Sequence, residues 1–339
     1  MRVKSALRGT FRRKKSSLDM NTTEQTAGLA AGAAFRHEAL LYSGHDGFLA
    51  GTLPFIRAGL EADEPVLAMV SPAKIDLLRE ALDGAAEHVR FADMHEVGSN
   101  PARIIPAWRE FVDGYGGPGG WLRGIGEPIW AERSAAELVE CQRHESLLNL
   151  AFGEGCAMRL LCPYDTDVLD PLVIAEAHRS HPVIVEGGAE RDSDRYHGMD
   201  VVAAPFADPL GAPPRDAASL SFTGETLDAV RHFVAACADR IGLDAARRAD
   251  LVLAINEVAT NSVLHGGGDG TLLVWRDGDT LVCDLRDSGC FDHPLAGRER
   301  PRPDRVGGHG LWLANQLCDL VQVRSFPIGT VVRLHLRTG

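Results

Sequence analysis

The stretch from Leu253 to Gly270, "LAINEVATNSVLHGGGDG", decides how the second half of this 339-residue chain is read. Glu257, Asn261 and His265 recur in it at four-residue spacing among apolar neighbours. On a helix advancing about 100° per residue, with Glu257 at zero, Asn261 falls near 40° and His265 near 80°. Val252, Ile255, Ala259 and Val263 fall between about 160° and 240°, which predicts a buried stripe opposite a polar row. The flanking Leu253 and Leu264 predict that this row faces a partly enclosed cavity. A carboxamide oxygen can ligate Mg²⁺, which takes few protein ligands plus phosphate oxygens. A carboxylate one turn away can orient or deprotonate an attacking oxygen. A solvated polar face would carry the same residue types, so the row alone does not decide.

Three further stretches follow it. In "DLRDSGC", Asp287 ends an apolar strand and precedes Ser288 and Gly289. A carboxylate there can accept a hydrogen bond from an exocyclic amine, and a glycine lets a flat ring approach the backbone. "VGGHGLWLANQL" then places Gly307, Gly308 and Gly310 at the opening of a helix, with Leu311 beside them. Free N–H groups at such an N-terminus favour phosphate. Finally "GTVV" puts Gly329 and Thr330 at the start of a strand, where the hydroxyl can meet a base or its bridging water.

In this order the four pieces resemble the Bergerat ATP-binding fold of gyrase-type, Hsp90-type and histidine-kinase ATPases. Glu257, Asn261 and His265 stand as its N box, Asp287-Ser288-Gly289 as its G1 box, and Gly308-His309-Gly310-Leu311 as its G2 box. The "ExxxNxxxH" form and the short spacing are most similar to anti-sigma factor serine kinases. The resemblance covers roughly 219–337. It implies ATP and Mg²⁺ as cofactors, with Glu257 as general base, Asn261 as the Mg²⁺ ligand and Asp287 reading the adenine amino group. It further implies an ATP lid over 290–306, and nucleotide contacts from His265, Gly289, Gly307, Gly308, Gly310, Leu311 and Thr330. The chain departs from the pattern twice. Phe291 stands where a second glycine often sits, and Val306 replaces an arginine expected before the G2 glycines, with Arg305 adjacent as a substitute. The partners implied are a sigma factor and a STAS-type antagonist phosphorylated on serine. The alternatives are a nucleotide-binding anti-sigma switch without useful turnover, and a sensor histidine kinase, for which the preceding linker offers no helical hairpin.

Between Phe35 and about Val185, short apolar runs ("EALLYS", "PVLAMV", "HVRFAD", "GWLRGIG", "AMRLLCPYD") alternate with stretches of helical period. Strand–helix alternation predicts an α/β domain with a parallel sheet covered by helices on both faces. After 219 the strands follow one another by hairpins, Asp277-Gly278 among the turn signals, which predicts an α+β domain with a mixed or antiparallel sheet and helices on one face. "HEALLYS", "LCPYD" (161–165) and "HP" (181–182) in the first half resemble the MEDS sensory domain, which implies regulatory input from a small-molecule signal. His37, Tyr42 and Tyr164 can line a pocket for it or simply pack in the core. The predicted layout is thus a basic extension (1–34), a sensory domain (35–185), a Pro-rich linker (186–218) and an ATPase domain (219–339).

Composition sets the outer limits. Seven basic side chains against Asp19 and Glu24 give the first 34 residues +5, so the rest of this −12 chain carries −17. A body of that charge repels nucleic acid. The extension reads as disordered, with Met20 as an alternative start. It lacks the apolar centre of a secretory signal, and no apolar run approaches the roughly 18 residues of a membrane span. Seven cysteines without a paired framework suit reduced thiols in a cytoplasm. Cys141 with His144, and His178 with His181, have i, i+3 spacing but no second pair, so structural roles are expected for them. Oligomeric state, a homodimer included, is left open.

Overall fold

A computed structural model describes residues 35–117, 120–153, 155–198, 208–290, 292–301 and 308–338. The basic extension lies outside the described residues. The chain divides into two compact units: one takes residues up to Gly98 with Ala107–Val201, the other Ser99–Pro106 with Val202–Gly339. No described helix is long and apolar enough to cross a membrane.

The first unit runs β1 (Arg36–Tyr42), α1 (Gly44–Glu61), β2 (Val66–Val70), α2 (Pro72–Leu82), β3 (Val89–Asp93), a one-turn α3 (Met94–Val97), α4 (Ile104–Tyr115), β4 (Leu122–Gly126), α5 (Ala135–Ala151), β5 (Met158–Asp165), α6 (Pro171–Ser180), β6 (Val183–Glu186) and β7 (Ala189–Asp192). Its seven strands lie in the order β3-β2-β4-β5-β1-β6-β7. All pairs are parallel except β6 with β7. The sheet is therefore mixed: a hairpin adds one antiparallel edge strand beyond Val185, within the stretch the sequence reads as linker. Connections from β1 to β2 to β3 run one way across the sheet and those from β3 through β6 run the other. Right-handed crossovers then place α1 and α2 on one face and α4, α5 and α6 on the opposite one. Leu40 and Tyr42 of β1 accordingly share a core with Phe48, Ile56 and Leu78 of α1 and α2. Because side chains alternate along a strand, His37 and Ala39 face the α5–α6 side. Cys162 pairs in register with Ala39, and Tyr164 with Leu41, so both point the same way as His37.

The second unit runs β8 (Ala218–Thr223), α7 (Leu227–Arg240), α8 (Ala245–His265), β9 (Asp269–Asp277), β10 (Thr280–Asp287), α9 (His309–Leu317), β11 (Leu320–Phe326) and β12 (Gly329–Arg337). Its sheet is antiparallel throughout, ordered β11-β12-β10-β9-β8. Alternate residues such as Leu281, Cys283 and Leu285, or Val332, Leu334 and Leu336, meet Val230 and Val234 of α7, Ile255 and Val258 of α8 and Ala314 of α9 in one core. The opposite face is charged: Asp284, fully buried, accepts from Arg333 at 2.6 Å and from Arg286 at 2.9 Å. Arg324 and Arg333 of that face also donate to the carbonyls of Asp208 and Gly211, so this end of the Pro-rich stretch is tied to the sheet.

Ser99–Pro106 folds with this unit through α9. Asn100 Nδ2 donates to the carbonyls of Asn315 and Cys318, and Arg103 to those of Asn315, Gln316 and Cys318. The last carbonyls of a helix lack intrahelical donors, and these side chains supply them.

Candidate functional site

The four stretches singled out in the second half converge at one end of α8, β10, α9 and β12. Asp244 caps α8, its carboxylate accepting from the N–H groups of Ala246 and Arg247. The helix buries Leu251, Ala254, Ile255, Val258, Ala259 and Ser262. That stripe centres about 120° from Glu257, not opposite it. The polar row therefore runs along the border between core and solvent: Glu257 and Asn261 are half-buried and His265 is exposed. Leu253 and Leu264 do not wall it in, being 44% and 67% exposed. Val252 and Val263, expected in the buried stripe, pack only at its margin.

Asp287 closes β10 and stands in register with Thr330 of β12. Its Oδ2 accepts from Ser262 Oγ at 2.6 Å and its Oδ1 from the Gly289 N–H at 3.0 Å. Each carboxylate oxygen keeps a further lone pair for another donor. Thr330 Oγ1 donates to the Gly289 carbonyl at 2.8 Å, fixing the loop that follows Asp287. A Cβ on Gly289 would stand 2.5 Å from the His265 carbonyl oxygen, so only glycine lets this loop lie against the end of α8. Ser262 escaped the sequence reading. Its signal was its wheel position, near 140°, which turns its hydroxyl toward the sheet end and not along the row.

Gly308, in the left-handed region at φ +78°, precedes α9. Gly310, one residue into the helix, lies against Asn261: a Cβ there would come within 2.6 Å of Asn261 Nδ2. Leu311 packs on the core, and Asn315 Nδ2 donates to the carbonyls of Leu311 and Gly297, each at 3.1 Å. The opening N–H groups of α9, the Asn261 carboxamide, the Asp287 carboxylate and the Gly289 backbone thus border one region. Arg305, Gly307, Val306 and Phe291 lie outside the described residues. A groove among the described residues of this unit lies elsewhere, on the far side of α8 against α7, lined by Arg231, His232, Arg248, Val252, Leu253 and Asn256. The residues around Asn261 and Gly310 fit a nucleotide with a hard cation: a backbone donor set for phosphate, a carboxamide oxygen for the cation and a carboxylate for an amine.

The candidate pocket residues of the first unit fall on two sides of the sheet. Tyr42 faces α1 and α2, where its hydroxyl donates to Glu127 Oε1 at 3.1 Å and Lys74 Nζ donates to it at 2.6 Å. His37 and Tyr164 face the other side, both fully enclosed. Burial pushes the Tyr164 hydroxyl well above its ordinary range.

Residues 36–182 match the family model described as MEDS, the methanogen/methylotroph DcmR sensory domain. Residues 220–336 match the one described as histidine kinase-like ATPase domain. The chain thus carries a MEDS sensory domain followed by a histidine kinase-like ATPase domain, which implies ATP binding. No curated protein matches the chain. Among solved structures, the RsbU and RsbW domains of Rv1364c from Mycobacterium tuberculosis are similar at 23% identity and a TM-score of 0.27, over 37% of this chain and 33% of that one. The histidine kinase AdeS of Acinetobacter baumannii is similar at 10% identity and a TM-score of 0.21, over 36% of this chain and 68% of that one. The match spans about one third of the Mycobacterium protein's chain.

Proposed function

We propose that this chain is an ATP- and Mg²⁺-dependent serine kinase of the anti-sigma class, regulated through its sensory domain. Its targets would be a sigma factor, which it binds, and a STAS-type antagonist, which it phosphorylates. The observation that carries the reading is the placement of Glu257 and Asn261 one turn apart on the solvent border of α8, with Asn261 against Gly310 at the start of α9. A helix serving only solubility has no reason to hold a carboxamide against a glycine at a neighbouring helix's N-terminus.

The roles divide by reach. Asn261 offers its oxygen to the cation from beside the α9 amides, which bind phosphate. Asp287, held by Ser262 and the Gly289 N–H, keeps acceptor capacity for the amino group of a purine. Glu257, one turn before Asn261, accepts a proton from a serine hydroxyl presented by the partner. When bound, ATP supplies the phosphoryl group, and Mg²⁺ neutralises charge on its oxygens.

Sensor histidine kinases present a phosphorylated histidine on a helical hairpin ahead of this domain. Among the described residues from Asp208 to Ala217 there is no helix. Incubating the full chain with ATP, Mg²⁺ and STAS-domain proteins of its host, then mapping phosphate by mass spectrometry, tests the proposal. Phosphoserine on a STAS partner supports it; nucleotide binding with no phosphoserine on any of them sinks the kinase assignment.

A further inference from the structure

Four side chains far apart in sequence meet inside the first unit: His37 near the start of β1, Glu145 in α5, Cys162 in the middle of β5 and His181 at the end of α6. Each is at most 1% exposed, and one donor atom from each lies within 4.8 Å of all the others. His37 Nε2 stands 3.0 Å from Glu145 Oε2 and 3.4 Å from Cys162 Sγ, while His181 Nε2 stands 3.3 Å from the same carboxylate oxygen. A tetrahedral zinc site, with bonds of about 2.0–2.3 Å, has ligand-to-ligand edges of roughly 3.3–3.6 Å. Two of the three measured edges, 3.3 and 3.4 Å, fall in that range, and the third, 3.0 Å, is shorter.

The surroundings decide which nitrogens face inward. Asn149 Nδ2 donates to the Ser180 carbonyl at 2.8 Å, which turns its Oδ1 toward His37 Nδ1 at 3.1 Å. His181 Nδ1 lies 2.9 Å from the Ala177 carbonyl. Both acceptors are oxygens, so each Nδ1 carries the proton and each Nε2 turns its lone pair into the cluster. Outer oxygens that fix a histidine tautomer in this way are the usual support of a metal-bound imidazole. The cluster is not satisfied by itself: Glu145 Oε1 is buried without a hydrogen-bond partner, and His181 Nε2 meets only the carboxylate oxygen 3.3 Å away. Two lone pairs and a carboxylate pointed at one another in a dry interior are costly without a cation between them.

We infer that His37, Glu145, Cys162 and His181 form a closed, tetrahedral site for a zinc-class divalent cation. Two imidazoles and a thiolate exclude Mg²⁺ and Ca²⁺, which take oxygen ligands. Four protein ligands without an open position mark a structural centre, not a catalytic one. The ion joins two central strands of the sheet to the helices packed on them. Binding ionises the thiol, whose proton leaves to solvent as the site is loaded.

Elemental analysis of the full-length protein, grown with zinc and washed with a mild chelator, should give about one zinc per chain. Replacement by Co²⁺ should give intense visible bands of tetrahedral cobalt and a near-ultraviolet thiolate charge-transfer band. Cys162→Ser should abolish that band, and His181→Gln should lower the metal content severalfold. Should either variant fail to fold, the wild-type cobalt spectrum decides. A folded chain with no stoichiometric metal, whose four groups merely share protons, overturns the assignment. So does a cobalt spectrum without thiolate character, or one unchanged in folded Cys162→Ser.

Discussion

Asn261 and Gly310 share one contact: the carboxamide of the first lies 2.6 Å from where the second would carry a Cβ. Helices α8 and α9 are thereby fitted to each other through a missing methyl group. Gly310→Ala should force Asn261 aside and move the α9 amides, lowering nucleotide affinity by about tenfold or more. Isothermal titration with ATP and Mg²⁺ reads the effect. Gly114→Ala, where a Cβ meets nothing within 4 Å, is the control and should leave affinity unchanged.

Glu257 lies nearer the helix middle than Asn261 and is assigned to the proton, not to the nucleotide. Glu257→Gln should therefore keep ATP affinity within about threefold while phosphoserine formation on the partner falls about a hundredfold or more. Glu257→Ala separates kinase from switch: a pure nucleotide-binding regulator keeps its sigma-inhibiting output in that variant. Undiminished transfer in Glu257→Gln would remove the carboxylate from the chemistry.

Asp287, oriented by Ser262, is the residue proposed to read the base. Asp287→Asn turns an acceptor into a partial donor facing the purine amine, and ATP affinity should fall by at least tenfold. Ser262→Ala removes only the 2.6 Å bond that orients the carboxylate. It should weaken binding less and cost about 1 kcal/mol of stability. An ordering reversed from this would mean that Ser262, not Asp287, meets the nucleotide.

The sequence was most legible where one residue type had one job. Strand–helix alternation located the parallel sheet because buried strands read as apolar runs. Gly289, Gly310 and Gly329 stand where an added Cβ would meet another atom within 3 Å. The α8 stripe was misplaced because Ala254 and Ser262 are too small or polar to register as core, although both are buried. The edge strand Ala189–Asp192, "AERD", is exposed along its whole length and so has no apolar pattern to find. The His37–Glu145–Cys162–His181 cluster was invisible for a different reason. Its members come from four elements with no shared spacing, and only the β1–β5 register brings two of them together. His178 and His181, adjacent on paper, separate in space: only His181 joins the cluster.

The Arg103 guanidinium offers a test of how α9 is held. It donates to three carbonyls at the helix end opposite Gly310. Arg103→Ala leaves them short of donors and should cost about 1–3 kcal/mol of stability in the second unit. Because α9 carries at its other end the amides proposed to bind phosphate, nucleotide affinity should fall as well. Arg103→Lys, which restores one donor, should recover part of both. Urea denaturation and ATP titration on the same three proteins check the pairing, and a loss of stability with unchanged affinity would uncouple the two ends of the helix.

Alkaline pH should weaken the second unit through its buried thiols. Burial, reinforced by Asp319, pushes the Cys318 thiol up to about 12, against an ordinary value of 9.0. Cys283, in the same core, is raised in the same direction. Between pH 9 and 12 the unfolded chain has released these protons while the native one still holds them. The unfolded state then binds fewer protons, so unfolding free energy falls as pH rises through that window, by roughly 1 kcal/mol per pH unit for each thiol. Below pH 9 both states hold the protons and stability is flat with respect to them. Urea midpoints measured from pH 8 to 11 should decline, and Cys318→Ala should shift the curve downward yet make it shallower. Equal slopes for the two proteins would show that Cys318 ionises in the native state as easily as in the unfolded chain.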